Sequence, residues 1–525
     1  MSRTDERARR DAELLARLGY KQELKHVFTP LEVFGIAFTT IGLFSSMLWV
    51  VFIRRFFLVY GLPNDGPVAM VWGWAVASIF ILCCAMSIAE LASAAPTAGG
   101  VYFWTYSFAS PRWRSLLCWI VGYANTIAWI SGVASVDWAC AVQITAAASI
   151  SSGQTYIATN AQTYGIYVAI LLSHGLVCSL PTTILARVQH LYIATNIYLC
   201  LAVIVGFPIV THKQNMNNAR FALTTFKNLN SWPDSFSFVL SLLYPLWTIS
   251  GLDPGVHISE EAFNAAVIVP WAILSRKLPP LRNSVNLSLT FCMDTNIENI
   301  LSSPIGQPMA EILFSRFGQK GTLGLWSFVG IAQYIIFASG VLAASRQVFA
   351  FSRDGVLPLS SILSCVNKTI HAPINAVWFV VITTAPLGLL VFAGAQAISA
   401  VFSVTLNAFY IAYSVSVAAR WLGNSTFKPG PFHLGRYSLP ISTIAVLFMI
   451  FMNVVFLFPT TPNTSAIDMN YTVVVLGALL VLSLVWYYLP VYGAMHWFTG
   501  PVRNIGDESE LMTQVVVEGC VEKGI

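Results

Sequence analysis

The sequence predicts an all-α polytopic membrane protein with about twelve transmembrane helices, each of roughly 20 residues. Hydrophobic residues make up 56% of the 525 residues and charged residues only 10%, whereas soluble proteins have about 25% charged residues. The mean hydropathy is +0.69. Because lipid admits only helices and closed barrels, and the apolar runs are too long for barrel strands, we expect helices.

Eleven windows along the chain are long and apolar enough to cross a bilayer. They lie near 31–53, 67–93, 115–149, 164–181, 188–210, 235–266, 322–345, 374–394, 397–419, 438–459 and 471–494. A twelfth crossing fits between 269 and 293, but it contains Arg276, Lys277 and Arg282 together with Pro279 and Pro280. Each cation near a helix centre costs about 2.5–3.5 kcal/mol. We therefore expect a degenerate seventh helix.

Two segments are atypical: residues 269–284, in the seventh helix, and residues 47–60, which contain Arg54 and Arg55 and make a long link between the first two helices. Either divergence of this chain or an error in the gene model would explain these two segments.

Lys and Arg residues predict the orientation, because they concentrate in cytoplasmic loops. With twelve crossings and an inner N-terminus, 21 of the 28 Lys and Arg residues fall inside. The chain then divides into a cytoplasmic tail (1–30), a membrane domain (31–494) and a second cytoplasmic tail (495–525). The plasma membrane is the expected location, and the vacuolar membrane is the alternative. The net charge of +5 is spread without a basic stripe, which argues against a nucleic-acid partner.

Two apolar helices contain helix-breaking residues near mid-span. The first carries the segment from Thr39 to Ser46 around Gly42, and the sixth carries the segment from Trp247 to Pro254 around Gly251. A matched pair of interrupted helices marks the binding site in many transporters. The exposed backbone amides hold a carboxylate, and the exposed carbonyls hold an ammonium group. Helix packing by glycine and a proline kink are the alternative.

Ionisable residues inside membrane helices are expensive and mark functional sites. Asp137, His174, Asp253 and His257 are the candidates. Asp253 lies at the break, where it pairs with an ammonium group, takes part in proton coupling or caps the resumed helix. Three glutamates are expected at the cytoplasmic edge, where solvation is favoured over salt bridges with inner arginines: Glu90, Glu260 and Glu261.

Several motifs resemble the fungal amino acid/choline transporter family, the permeases for γ-aminobutyrate (GABA), choline and similar amines. This family belongs to the amino acid-polyamine-organocation superfamily. The resembling segments are residues 90–104 (ELASAAPTAGGVYFW), 257–261 (HISEE), 344–355 (ASRQVFAFSRDG) and 427–432 (FKPGPF).

The resemblance implies two inverted five-helix repeats, about 31–210 and 235–419, plus two further helices at 438–494, working by alternating access. It implies that the first break meets the substrate carboxylate and the second its amine. The candidate substrate-binding residues are Ile41, Gly42, Leu43, Phe44, Thr248, Ile249, Ser250, Gly251 and Asp253.

The resemblance also implies a coupling ion, either a proton or sodium, and no other cofactor. The coupling or gating candidates are Asp137, Asn196, His257 and Ser339. The fungal branch favours protons, with uniport open. We expect an amino acid or related amine such as GABA as substrate, with choline or a polyamine as the alternative.

Other function classes fit less well. A channel would need a symmetric ring of charges or carbonyls, and an enzyme would need a metal, nucleophile or phosphate motif that the sequence lacks. A nutrient sensor built on a transporter scaffold stays open because of the degenerate seventh helix. The oligomeric state is not predicted.

Overall fold

The computed structural model describes residues 3–24, 26–39, 64, 66–249, 251–275, 279–367, 369–370, 372–423, 427–459, 461–462, 464 and 469–502. Within these ranges the only β pairing is an isolated bridge between Phe28 and Ala262. Nine of the described helices are long and apolar enough to cross a bilayer. The predicted all-α polytopic fold is therefore confirmed.

Seven main helices are described in the first half of the chain. They are α1 (Arg3–Arg17), α2 (Pro30–Thr39), α3 (Trp74–Ala94), α4 (Gly100–Phe108), α5 (Arg114–Ser151), α6 (Asn160–Cys178) and α7 (Thr182–Leu201). Short additions precede α3 and follow α7. They are π-helical turns at Ala69–Gly73 and Ala202–Gly206, α-helices at Phe207–Val210 and Ala219–Thr224, and a 3₁₀ turn at Lys213–Asn215.

Ten main helices are described in the second half. They are α8 (Asp234–Ser241), α9 (Leu243–Ile249), α10 (Pro254–His257), α11 (Ala265–Ser275), α12 (Pro279–Cys292), α13 (Pro308–Arg353), α14 (Ile374–Thr384), α15 (Ala395–Leu422), α16 (Ser438–Val455) and α17 (Thr472–Tyr488). Shorter helical pieces lie between them, at Ser259–Glu261, Ile297–Leu301, Ser360–Leu363, Ala385–Leu389, Leu390–Ala393, Gly435–Tyr437 and Ala494–His496.

The described helices follow the predicted windows closely, with one clear difference. The window at 322–345 corresponds to the much longer α13, which begins at Pro308. Gly318 has a φ of +66° inside it, so two helices meet there. The sequence pattern missed the earlier part because it carries Glu311, Arg316 and Lys320. Of the first predicted window only Pro30–Thr39 is described.

The structure describes the seventh crossing in two parts, α11 and α12, and residues 276–278 lie outside the described residues. Two polar side chains of α12 take part in hydrogen bonds to neighbouring segments. The Ser288 hydroxyl donates to the carbonyl of Val203 at 2.8 Å, and the Tyr244 hydroxyl donates to Asn286 Oδ1 at 3.2 Å. These bonds explain how a segment with few apolar residues packs inside the bundle.

The long helix α5 packs against both α13 and α15. At about 1.5 Å per residue, its 38 residues are longer than the bilayer core is thick. Gly122 allows a close approach, since a Cβ atom there would lie 2.3 Å from the ring of Phe351. Helices α5, α13 and α15 therefore form the frame around the interrupted sixth helix.

Candidate functional site

The sixth membrane helix is interrupted where the sequence predicts it. Helix α9 ends at Ile249, and α10 begins at Pro254. Gly251 has a φ of +65°, a conformation that costs residues with a side chain about 1 kcal/mol or more. Thr248 and Ile249 are buried at the end of α9. The last carbonyls of α9 lack the usual partners four residues ahead, because the helix stops there.

Five predicted substrate contacts cannot be placed. The residues of the first break, Ile41, Gly42, Leu43 and Phe44, lie outside the described residues, as does Ser250 in the second break. Thr248, Ile249, Gly251 and Asp253 do come together at the second break.

Asp253 is the centre of a buried hydrogen-bond network at this break. Its Oδ2 lies 2.9 Å from Nε2 of His257, and both side chains are fully buried. Its Oδ1 accepts a 2.6 Å hydrogen bond from the hydroxyl of Tyr413 on α15. The same hydroxyl accepts from the backbone N–H of Leu252 at 2.9 Å. Of the three roles considered for Asp253, side-chain capping of α10 is not the one seen.

The position of one proton in this network follows from its acceptors. His257 Nδ1 lies 2.7 Å from the carbonyl oxygen of Ala98, and a carbonyl only accepts, so Nδ1 carries a hydrogen. The opposite nitrogen, Nε2, faces Asp253 and also lies 3.4 Å from Nδ2 of Asn125. Asp253 and His257 therefore share a proton site in a dry environment next to the break.

Tyr413 is the residue of this network that the sequence analysis missed. It lies 160 residues from Asp253, on a helix without a break or charge at that position. Its only sequence signal is a tyrosine inside a membrane helix, which is common. Aromatic side chains complete the surroundings: the Trp129 ring lies edge-on to His257 and Phe409, and Phe409 stacks on Tyr413.

A second buried pair joins Asp137 of α5 to His174 of α6. His174 Nδ1 lies 3.1 Å from Asp137 Oδ1, and Nε2 lies 3.0 Å from the carbonyl of Tyr334 on α13. Asp137 is twelve residues beyond Asn125 on α5, which corresponds to about 18 Å along the helix. The two Asp–His pairs are thus separate, and this one connects α5, α6 and α13.

Asn196 and Ser339, the remaining coupling candidates, do not contact each other directly. The Asn196 amide donates to the carbonyl of Tyr192 within α7. Ser339 on α13 instead accepts a 2.9 Å hydrogen bond from the amide of Gln189. Gln189 therefore links the fifth and eighth helices, a role that the sequence analysis did not assign.

The expected solvation of the three inner glutamates is wrong. Glu90, Glu260 and Glu261 are all buried, and each forms a salt bridge: Glu90 with Arg420 at 2.7 Å, Glu260 with Arg353 at 3.0 Å, and Glu261 with Arg346 at 2.8 Å. The backbone carbonyls of Glu260 and Glu261 accept hydrogen bonds from the N-terminal segment, whereas the Glu90 carboxylate accepts from Leu434 and Ser438. A sequence pattern does not show which segments fold over a residue.

The described residues contain no group of three or more His, Cys, Asp or Glu side chains that could hold a metal ion. The described cysteines are all free.

Comparison with known proteins identifies the family. The model of the amino acid permease family matches residues 28–479. An uncharacterized amino-acid permease of Schizosaccharomyces pombe is 34% identical over 511 residues, covering 97% of this chain and 91% of that protein. The GABA-specific permease of Saccharomyces cerevisiae is 33% identical over 506 residues, covering 95% and 87%. Amino-acid permease 2 of Neurospora crassa is 32% identical over 497 residues, covering 93% and 89%.

These matches confirm the family resemblance drawn from the motifs, and the permease names of the relatives confirm a transporter rather than an enzyme. The apolar helices and the family together make the protein an integral, multi-pass membrane protein. The chain therefore belongs to the amino acid permease family of the amino acid-polyamine-organocation superfamily and is an amino acid transporter.

Proposed function

We propose that this transporter moves a small amino acid or related amine across the membrane, with GABA as the first candidate, by proton-coupled alternating access. The observation that carries the proposal is the interrupted sixth helix with the buried Asp253–His257 pair at its break. Backbone carbonyls at the end of α9 and a protonatable pair lie side by side there, so substrate binding and proton binding can influence each other. The printed name of the Saccharomyces cerevisiae relative supports GABA.

The substrate amine is proposed to bind at the end of α9. Carbonyl groups at a helix C-terminus carry partial negative charge and attract an ammonium group. Thr248 and Ile249 are at this end. Asp253 is already hydrogen-bonded to His257 and accepts a hydrogen bond from Tyr413, so the backbone of α9 is proposed as the acceptor for the amine. The carboxylate is assigned to Ile41, Gly42, Leu43 and Phe44 by the family resemblance.

A choline or polyamine substrate is the second candidate. The aromatic rings of Trp129 and Phe409 next to the break favour it, because aromatic faces bind quaternary ammonium groups. A competition panel decides between the two: proteoliposomes take up radiolabelled GABA in the presence of unlabelled α-amino acids, choline or polyamines. We expect GABA or an α-amino acid to compete most strongly. Competition by choline alone would contradict the first choice.

Protons are proposed as the coupling ion. The amide of Gln189 on the fifth helix donates a hydrogen bond to Ser339 on the eighth. A hydrogen-bond donor is unfavourable beside a sodium ion. The Asp253–His257 pair offers a proton site at the break instead. Uptake should therefore follow an imposed pH gradient and not a sodium gradient.

The two Asp–His pairs provide a matched test of the proton site. Both Asp253→Asn and Asp137→Asn remove the carboxylate of a buried pair, but only Asp253 borders the break. We expect Asp253→Asn to lose pH-driven accumulation while it keeps exchange of internal for external substrate. Asp137→Asn should keep both if it folds. Loss of pH-driven accumulation only in Asp137→Asn would place the proton site in the Asp137–His174 pair.

A non-transporting sensor is favoured by one observation, the three cations and two prolines that the sequence places in the seventh crossing. Direct flux measurement separates the two functions: substrate binding without either uptake or exchange would support the sensor. Sequencing the transcript across codons 265–295 tests whether the printed residues are native.

Both termini are proposed to be cytoplasmic and the plasma membrane to be the location. Glycan attachment tests the orientation, because it occurs only on the outer side. The sequons at Asn463 and Asn470 should accept sugar, whereas those at Asn367 and Asn424 should not.

A further inference from the structure

The segment from Tyr20 to Phe28 lies across one end of the membrane helices and is here named the strap. The backbone N–H groups of Val27 and Phe28 both donate to the carbonyl of Glu261, at 2.8 and 3.0 Å. In return, the N–H of Phe263 donates to the carbonyl of Phe28 at 3.2 Å. Tyr20, Leu24 and Phe28 are buried. The strap is therefore held to the chain that follows the sixth helix by both backbone bonds and apolar packing.

The strap covers the junction between the sixth helix and α13. Glu260 follows the sixth helix and makes a two-pronged salt bridge with Arg353 at the end of α13. The side chain of Gln22 donates to the carbonyl of Glu260 at 2.6 Å. The ring of Tyr20 lies 4.1 Å from the guanidinium of Arg353. Separation of these two helices at this end requires that the strap leaves them.

Asp354 connects the strap to two other parts of the chain. Its carboxylate accepts a 2.8 Å hydrogen bond from the hydroxyl of Tyr102 on α4 and a 3.0 Å bond from the N–H of Val502 in the C-terminal segment. The hydroxyl of Tyr20 lies 3.4 Å from both carboxylate oxygens. Only 3% of Asp354 is exposed. The positive charge of the adjacent Arg353 is already engaged by Glu260.

We propose that the strap is a latch which must be released before this end of the transporter opens, and that protonation of Asp354 favours the latched state. This inference goes beyond the proposed substrate and coupling ion. It depends on the contacts of the strap and would hold for any cargo that leaves on this side.

The direction of the pH effect follows from burial. Desolvation raises the pKa of Asp354 from its usual 3.8 to about 6, although Arg353 and the hydrogen bonds from Tyr102, Val502 and Tyr20 act in the opposite direction. Release exposes the carboxylate to water, where its pKa returns towards 3.8. The latched state therefore binds the proton more tightly, so acid favours latching and neutral pH favours release.

Other titratable groups surround this network. Two of them face Asp354: Tyr102 from α4 and Cys118 from α5. Burial raises the pKa of Tyr20 and of Tyr102, so both hydroxyls stay neutral near pH 7.

Further titratable groups lie on or beside the strap. Desolvation also raises the pKa of Glu23 and of Asp11, and these two groups act in the same direction as Asp354. Desolvation lowers the pKa of His26, which acts in the opposite direction. A variant of Asp354 alone is therefore needed to isolate its contribution.

Hydrogen–deuterium exchange measures strap release directly, without any substrate. The probes are the N–H groups of Val27, Phe28 and Phe263, compared with their intrinsic exchange rates at each pH. For a carboxyl whose pKa changes from 6 to 3.8, the ratio of released to latched molecules rises about tenfold between pH 5 and pH 7.5. We expect protection of these amides to fall by about that factor in the wild-type protein.

Two variants make the test specific. Asp354→Asn should flatten most of this pH dependence, whereas Asp11→Asn should leave most of it, because Asp11 lies outside the Asp354 network. Equal slopes in wild type and Asp354→Asn, or no slope in the wild type, would overturn the proposal. Protection across α5 and α15 must be unchanged, which shows that the variant is folded.

If Asp354→Asn does not fold, Tyr102→Phe tests the same group. Loss of the 2.8 Å hydrogen bond destabilises the carboxylate, so the pKa of Asp354 should rise and the midpoint of strap release should move to higher pH. An unchanged midpoint would count against Asp354.

Counterflow exchange of GABA tests whether strap release controls opening. The pH on the strap side is varied while the opposite pH is fixed. Exchange should follow the midpoint seen in the deuterium experiment. If the strap responds to pH but exchange does not, the latch role is overturned and the proposed function stands. If no exchange occurs at any pH, the proposed function fails, and the deuterium data still decide whether Asp354 controls the strap.

Discussion

Replacement of Tyr413 by phenylalanine is the sharpest perturbation of the broken helix. The hydroxyl of Tyr413 bonds to two groups at the break, Oδ1 of Asp253 at 2.6 Å and the N–H of Leu252 at 2.9 Å. The variant keeps the ring and its stacking on Phe409. It therefore removes only the bonds that connect α15 to the break.

The expected magnitude follows from the two bonds. A hydrogen bond to a charged group contributes about 1.5–3 kcal/mol, and a buried donor left without its partner costs about 1–3 kcal/mol. We expect Tyr413→Phe to lose about 3 kcal/mol of folding stability. KM rises about tenfold if the substrate-bound state loses about 1.4 kcal/mol more than the substrate-free state does.

Tyr410 on the same helix is the matched control. It is also buried, and among the described residues its hydroxyl has no hydrogen-bond partner. Tyr410→Phe should therefore change stability by less than about 1 kcal/mol. Tryptophan fluorescence during thermal unfolding in nanodiscs and concentration-dependent uptake measure the two effects. Equal melting temperatures and equal KM values for the two variants would refute the argument.

Two further predictions concern packing and charge away from the break. Glu261→Gln leaves the buried Arg346 without its ionic partner and should cost about 3–5 kcal/mol of folding stability. The double variant with Arg346→Gln should recover much of this loss. Thermal unfolding of the two single variants and the double variant measures the coupling energy, and simple additivity would contradict the prediction. Gly122→Ala places a Cβ 2.3 Å from the Phe351 ring and should cost about 1–3 kcal/mol. Gly330→Ala meets no atom within 4 Å and should be neutral or stabilising, so equal melting temperatures would show that Gly122 does not set the packing distance.

The sequence predicted features that depend on local composition. Apolar windows locate helices because each membrane-spanning segment must by itself be long and apolar enough to cross the bilayer. The break at Gly251 and Pro254 is local as well, since these residues disfavour a helix regardless of neighbours. The weak seventh helix followed from three cations and two prolines, and α12 is held by polar contacts instead.

Residue partners across the bundle could not be predicted in this way. Tyr413, Gln189 and Arg353 each meet their partners from distant parts of the chain. Helical periodicity gives the face of a residue but not the neighbour of that face. The glutamates at the inner edge were misjudged for the same reason, because their burial depends on which segments fold over them.

The amino-acid sequence by itself determined the membrane class, the family and the position of the second break, since composition, motifs and helix propensity are properties of short segments. Only the tertiary structure decided that Asp253 faces His257 and Tyr413, that Asp137 and His174 form a separate pair, and that the strap covers the inner salt bridges. The physical reason is that the cost of burying a charge is set by its partners in space. These partners are brought together by packing between helices.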